Sequence, residues 1–154
     1  GTRVLGNWAV VMLSSWYANA QDGEGQLGLA ELARLEDSLA AHHDRHVLVC
    51  LHHQPMPMEA AGLDALGLGD AEPFMTVIRR HPQVRAVVWG HAHQSLDVFR
   101  GDVRYFCTPS TCMQFKPRDP GFVIDDRPPG YRVLDLHDDG GIATEVVWLE
   151  GYRQ

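Results

Sequence analysis

Three short apolar runs frame this chain. Residues 8–13, 47–51 and 84–89 are rich in Val and Leu, with the length and branching of buried strands. Between the first two, Leu29, Leu32, Leu35 and Leu39 recur at helical spacing, which predicts one apolar stripe on an otherwise polar helix. Gly28 is placed at its N-cap, with Glu31 three residues on reaching back to the free amides. Between the second and third runs, Asp70 is placed as the cap of a helix over 71–81. Pro73 is tolerated in its first turn, and Phe74, Val77 and Ile78 face inward. Pro82 ends it.

Beyond residue 95 the periodicity shortens. Residues 96–100 and 103–107 flank Gly101-Asp102, a hairpin turn with glycine first. Residues 131–136 and 142–149 flank Asp138-Asp139-Gly140-Gly141, which predicts a second hairpin. Residues 21–25, 52–70 and 108–130 read as loops, the last with five prolines. The expected fold is α/β: βαβαβ followed by antiparallel hairpins, in one domain with a mixed or two-sheet core. There are no repeats and no linker.

The 154 residues suffice for one core, and the formal net charge is −7. That balance argues against a nucleic acid polymer as partner, since such binding needs clustered Lys and Arg. It leaves room for a small anion held by metal ions. No apolar run is long enough to cross a bilayer, so no membrane partner is expected. Cys50, Cys107 and Cys112 form no disulfide framework, and Cys50 reads as a small core residue. Cytoplasmic localisation is the default, and no signal peptide opens the sequence.

The nine histidines carry the functional signal. Strands joined through one crossover helix are parallel and end on the same sheet edge, where open α/β sheets bind ligands. His52 follows the second run, and His91 and His93 follow the third across Gly90. Gly90 is expected to make the sharp turn there. Three imidazoles on one edge suggest a metal site, imidazole being the commonest metal-binding side chain. The alternative is a set of hydrogen-bonded strand-end histidines without metal. His53 is expected to point away from His52, as a substrate or supporting contact or as a plain surface residue. His42, His43, His46 and His81 read as structural, and His137 as exposed. Ser110, Thr111 and Gln114 suit phosphate and base recognition, although a proline-pinned loop would carry the same residues. Cys112 has no base beside it and is not read as a nucleophile. The Met56 to Met58 segment is a lid or a hydrophobic plug.

Several of these segments resemble a known family. Arg45-His46-Val47-Leu48-Val49-Cys50-Leu51-His52-His53-Gln54-Pro55 and Gly90-His91-Ala92-His93 are similar to two blocks of the calcineurin-like metallophosphoesterases. Thr108-Pro109-Ser110-Thr111-Cys112-Met113-Gln114-Phe115-Lys116-Pro117, with Pro129-Gly130-Tyr131-Arg132 and Thr144-Glu145-Val146, resembles their bacterial 3′,5′-cyclic AMP phosphodiesterase subfamily. The resemblance implies a β-sandwich flanked by helices, of which residues 1–154 form the C-terminal portion. It implies two divalent ions (Fe, Mn or Zn), with His52, His91 and His93 as ligands. It places His53, Ser110, Thr111 and Gln114 on the substrate side. The implied reaction is metal-dependent hydrolysis of 3′,5′-cyclic AMP to 5′-AMP. In this chain no catalytic group is expected beyond the metal ligands. The family's Asp-x-His, bridging-Asp and Gly-Asn-His blocks do not occur in the sequence. The chain alone is therefore expected to be inactive, with an incomplete site and uncovered sheet surface prone to self-association. Ser14, where relatives often carry Asp, and Arg34, where an aromatic is common, are smaller departures. Three alternatives stand beside this reading: another phosphodiesterase or phosphomonoesterase of the superfamily, a non-catalytic metal-binding module, and a mononuclear three-histidine hydrolase.

Overall fold

The computed structural model describes residues 1–18, 20, 23–149 and 151–152. Its centre is a six-stranded mixed sheet. In chain order the strands are β1 (Thr2–Leu5), β2 (Trp8–Met12), β3 (His46–Cys50), β4 (Val84–Trp89), β5 (Leu96–Arg100) and β6 (Val103–Cys107). They lie in the spatial order β1-β2-β3-β4-β6-β5. The run β2, β3, β4, β6 is parallel, while β1 and β5 close the two edges antiparallel. The neighbouring parallel trio expected from the crossover argument is therefore present.

Side chains alternate across this sheet, and the two faces have different cover. Val11, Val47, Val49, Val87, Trp89 and Tyr105 face helices α1 (Gly28–Ala41) and α3 (Ala71–Arg80) in the larger core. Leu35 and Leu39 of α1, with Phe74, Val77 and Ile78 of α3, supply the helical side. On the opposite face Trp8, Leu48, Ala86 and Phe106 meet Leu134, Leu136 and Ile142. Those three come from the hairpin of β9 (Gly130–Leu136) and β10 (Ile142–Trp148), a second, two-stranded layer. The Trp8 indole donates to the His137 carbonyl at 2.8 Å and pins that hairpin to the sheet. The result is a sheet sandwiched between helices and a hairpin, as the fold class implied.

Some local expectations need correction. Strand β1 has only one partly covered residue and no alternation, so its sequence carries no strand signal; it forms by pairing back on β2. The loop after β3 contains a short helix, α2 (Ala61–Ala65), and the proline-rich loop contains a small ladder of β7 (Gln114–Phe115) and β8 (Ile124–Asp125). Asp70 stands at the N-cap of α3 as expected, but its side chain makes no capping bond to that helix. Its carboxylate accepts from the Leu27 and Gly28 amides at 3.0 and 2.7 Å, so it holds the start of α1 from 42 residues away. Gly28 is the first helical residue rather than the cap. Glu31 takes the Ser14 amide and Arg34 instead of reaching back along its own helix.

Candidate metal centre

Strands β3 and β4 end side by side, and the chain leaving each is stitched to the other. The Gly90 and His91 amides both donate to the His52 carbonyl, at 3.2 and 2.9 Å. This brings His91 Nδ1 to 3.1 Å from His52 Nε2. His93 follows with its backbone at φ +47°, so the left-handed residue of this turn is a histidine. Gly90 is not in the left-handed region, and a methyl group there would make only an ordinary 3.7 Å contact with Thr108. The turn expected of Gly90 is made at His93.

His53 also differs from expectation. Its ring centroid stands 4.8 Å from that of His52 and 4.5 Å from that of His91, so it joins the group. Strand alternation predicts the opposite, but β3 has already ended at Cys50 and the following residues bend. Ser15 fixes the new direction. Its buried hydroxyl lies 2.7 Å from His53 Nδ1 and accepts from the His53 amide at 3.3 Å. The Gly23 carbonyl lies 3.1 Å from His53 Nε2. A carbonyl only accepts, so Nε2 carries the proton and Nδ1 accepts from Ser15. Both ring nitrogens of His53 are thus occupied. Gly25 lets the ring sit there: an added Cβ would fall 2.2 Å from His53 Cγ.

Among the described residues, His52, His53 and His91 bring ligand atoms within 4.8 Å of one another, and no carboxylate joins them. His93 stands beside this group, its ring stacked on Phe115 at 5.1 Å. Burial pushes the basicity of all four imidazoles down. For His91, burial and then the facing His53, His52 and His93 rings bring the pKa to about 4. His52 is lowered by burial and by His93; His53 by burial and His52, against the opposing pull of the Gly23 carbonyl and Glu24. Burial lowers His93 against a backbone hydrogen bond with Met113. At neutral pH these rings are uncharged, the form that ligates metal.

The donor set fits a metal ion. His91 Nε2 and His93 Nδ1 are buried without a hydrogen-bond partner among the described residues. Unpartnered buried polar atoms are costly unless a ligand completes them. His91 Nδ1 and His52 Nε2, 3.1 Å apart, are hydrogen-bonded to each other, so the open nitrogens are His91 Nε2 and His93 Nδ1. A cavity of about 660 Å³ opens over His52, His53 and His91, walled by Trp16, Glu31 and Arg34. Beside it, an apolar groove of about 400 Å³ runs along Met12, Cys50, Val88 and Thr108 to His52.

The remaining sequence candidates are placed elsewhere. Gln114 is fully buried; it bonds the Ser110 amide and carbonyl and the Pro128 carbonyl at 2.8 to 3.1 Å, so it holds the loop and presents no free amide. Ser110 accepts from the Cys112 amide, and Thr111 is exposed beside Tyr131 and Trp148. From this loop it is Thr108 and Phe115 that approach the histidines. His42 and His43 bond carbonyls at the end of α1, His81 pairs with Glu36, and His46 packs on Trp8. Sequence reasoning missed Ser15 and Gly25, whose roles depend on a contact 28 or more residues away that no local pattern marks.

In its fold and its strand-end histidines the chain is similar to metallophosphoesterases. Among solved structures it superposes on GAP50, the anchor in the inner membrane complex of Plasmodium, with a TM-score of 0.66. That match has 14% identity and covers 98% of this chain and 49% of the other. A dimetal phosphatase from Danio rerio gives a TM-score of 0.55 at 15% identity, over 84% of this chain and 54% of the other. Those likenesses concern the fold. In sequence, the chain is similar to 3′,5′-cyclic adenosine monophosphate phosphodiesterase CpdA from several bacteria. Identity is 39% with the Vibrio vulnificus protein, over 91% of this chain and 50% of that one. It is 40% with the Pseudomonas aeruginosa protein, over 92% and 52%. It is 40% with the Escherichia coli K12 protein, over 95% and 52%. The chain spans about half the length of the curated relatives it matches, corresponding to their C-terminal half. No protein-family model matches it.

Proposed function

We propose that this chain is the C-terminal, histidine-bearing portion of a single metallophosphoesterase domain. The complete protein hydrolyses 3′,5′-cyclic AMP to 5′-AMP with two divalent ions, Fe, Mn or Zn. The observation that carries the reading is the strand-end cluster of His52, His53 and His91, with His93 beside it and with His91 Nε2 and His93 Nδ1 unpartnered among the described residues. The similarity to proteins named as cyclic AMP phosphodiesterases supplies the substrate class. When bound, the ions supply Lewis acidity for the phosphoryl oxygens and lower the pKa of water.

The chain's own residues hold and shape. His52, His91 and His93 offer neutral nitrogens from two adjoining strand ends. His53, spent on Ser15 and Gly23, fixes the segment that carries Trp16 at the cavity wall. From the loop held by Gln114, Thr108 and Phe115 rather than Ser110 and Thr111 face the histidines. No carboxylate stands in the described cluster to offset the charge of two dications, so the chain alone binds metal incompletely and is catalytically silent. The setting we assign is the cytoplasm, and among the described residues no helix is long and apolar enough to cross a membrane.

The test is a substrate panel on the complete protein: cyclic AMP, bis(p-nitrophenyl) phosphate and p-nitrophenyl phosphate, each with added manganese, iron or zinc. Cyclic AMP turnover that collapses in His91→Ala is expected. Turnover of the monoester with cyclic AMP untouched would move the protein to another branch of the superfamily.

A further inference from the structure

Of the four tryptophans in the chain, three are engaged in packing. Trp8 and Trp89 are 2% and 1% exposed, and Trp148 is half-buried beside the Arg127 guanidinium. Trp16 is 72% exposed. A ring of that size left in water forgoes the burial that normally holds tryptophan in a fold. It stands on the wall of the cavity of about 660 Å³ that opens over His52, His53 and His91. That volume lies within the ordinary range for small-molecule sites.

The ring is exposed, but the chain that carries it is tied on both sides. Before it, the Ser15 hydroxyl lies 2.7 Å from His53 Nδ1, and the Ser15 carbonyl accepts from the Gln26 amide at 2.9 Å. After it, the Tyr17 hydroxyl donates to the Glu24 carboxylate at 2.8 Å. One peptide unit, about 3.8 Å, separates the Cα atoms of Ser15 and Trp16, so the indole is carried by the neighbour of the residue that fixes His53. An aromatic ring on an anchored backbone has little freedom left to lose when a partner meets it. Glu31 and Arg34, which also line the cavity, are closed into an ion pair at 2.7 Å, and Arg34 donates as well to the Met12 carbonyl. With these two charges offset, the wall that holds Trp16 suits a flat neutral ring rather than a second anion.

We propose that Trp16 is the stacking platform for the nucleobase of the cyclic nucleotide. The inference rests on the proposed hydrolysis and goes beyond it by naming the residue that receives the base. The phosphate belongs with the histidines at the strand ends, and the neutral base lies on the indole face within the same cavity. Every base has a π-face, so such a platform accepts any nucleobase and holds the two-ring purines through their larger overlap.

The test uses the complete protein loaded with zinc, with 5′-AMP and base-free ribose 5-phosphate as probes. Calorimetry gives the affinities. ¹H–¹⁵N NMR follows the Trp16 indole N–H, assigned by its loss in Trp16→Phe. 5′-AMP is expected to shift that signal, and ribose 5-phosphate to leave it in place. Trp16→Ala is expected to bind 5′-AMP about tenfold more weakly, the effect of one lost base–aromatic stack, while ribose 5-phosphate binds as before. Trp16→Phe should keep most of the 5′-AMP affinity. A Trp16→Ala protein that binds 5′-AMP as the wild type does would overturn the inference. So would an indole signal that 5′-AMP leaves unmoved, the result expected if another part of the complete protein covers Trp16. Turnover separates this claim from the one beneath it. Cyclic AMP hydrolysis with an unaltered KM in Trp16→Ala sinks the platform and leaves the hydrolysis standing. The expected shifts and affinities in a protein that turns over no cyclic AMP support the platform and sink the hydrolysis.

Discussion

Gly25→Ala is expected to destabilise the chain out of proportion to the one methyl group it adds. The new Cβ would fall 2.2, 2.3 and 2.6 Å from Cγ, Nδ1 and Cβ of His53. Neither side can easily yield. Gly25 is tied by its amide to the Gly67 carbonyl and by its carbonyl to the Gly69 amide, at 3.1 and 2.8 Å. His53 is buried and bonded at both ring nitrogens. Forcing the imidazole aside carries an overpacking cost of about 1–3 kcal/mol. Losing its two hydrogen bonds adds about 1 kcal/mol each, for a total of roughly 3–5 kcal/mol. With a urea dependence of about 2 kcal/mol per molar, the midpoint should fall by roughly 1.5–2.5 M. Gly90→Ala is the control, because its Cβ meets nothing closer than 3.7 Å; its change should stay within about 0.5 kcal/mol. Urea melts followed by tryptophan fluorescence measure both. A Gly25→Ala protein as stable as Gly90→Ala would show that His53 is not locked in place, and the positioning role given to Ser15 would fall with it.

Asp70→Ala should cost about 1–2 kcal/mol by freeing the Leu27 and Gly28 amides at the start of α1, with faster hydrogen exchange at those two as the specific sign. Glu31 sets an acid limb: Arg34 and the Ser14 amide hold its carboxyl down at about 2. The unfolded chain therefore binds this proton first as pH falls. The stabilisation is complete above about 4.5 and is lost as pH drops toward 2; for this partly exposed pair it is worth at most about 1 kcal/mol. Glu31→Gln should flatten that part of the stability profile, and an unchanged acid limb would contradict the pairing. The sheet face around exposed Met12 and half-buried Cys50 and Val88 should drive association. Light scattering is expected to show apparent mass rising with concentration, and less so in Met12→Lys.

How much was legible in the sequence follows the range of the forces involved. The parallel trio β2, β3, β4 and its two helices rest on local periodicity and on the handedness of crossovers, so residues 8–13, 47–51 and 84–89 sufficed to put His52 and His91 on one edge. Direction at that edge was not legible. His53 turns inward because Ser15 and Gly23 claim its ring, and those contacts span 38 and 30 residues. The turn assigned to Gly90 falls on His93, since glycine permits a left-handed backbone without requiring one. Asp70 reads locally as a cap for α3, yet its oxygens meet the open amides of α1. Gln114 shows the same limit: a polar residue in a loop reads as a substrate contact until the fold buries it and uses all its donors and acceptors on the backbone. Strand β1, exposed along most of its length, has no pattern to read.

The most direct test of the central claim is metal content measured together with cyclic AMP turnover in the complete protein. It compares the wild type with His52→Ala, His91→Ala and His93→Ala, and with His137→Ala as an exposed control. The account predicts two ions per wild-type molecule. Each of the first three variants should lose metal and at least about a hundredfold in turnover, an expected loss for a disturbed ion that stabilises transition-state charge. His137→Ala should behave as wild type. Full metal occupancy and normal turnover in His52→Ala and His91→Ala would contradict the assignment of this strand-end cluster as the metal centre.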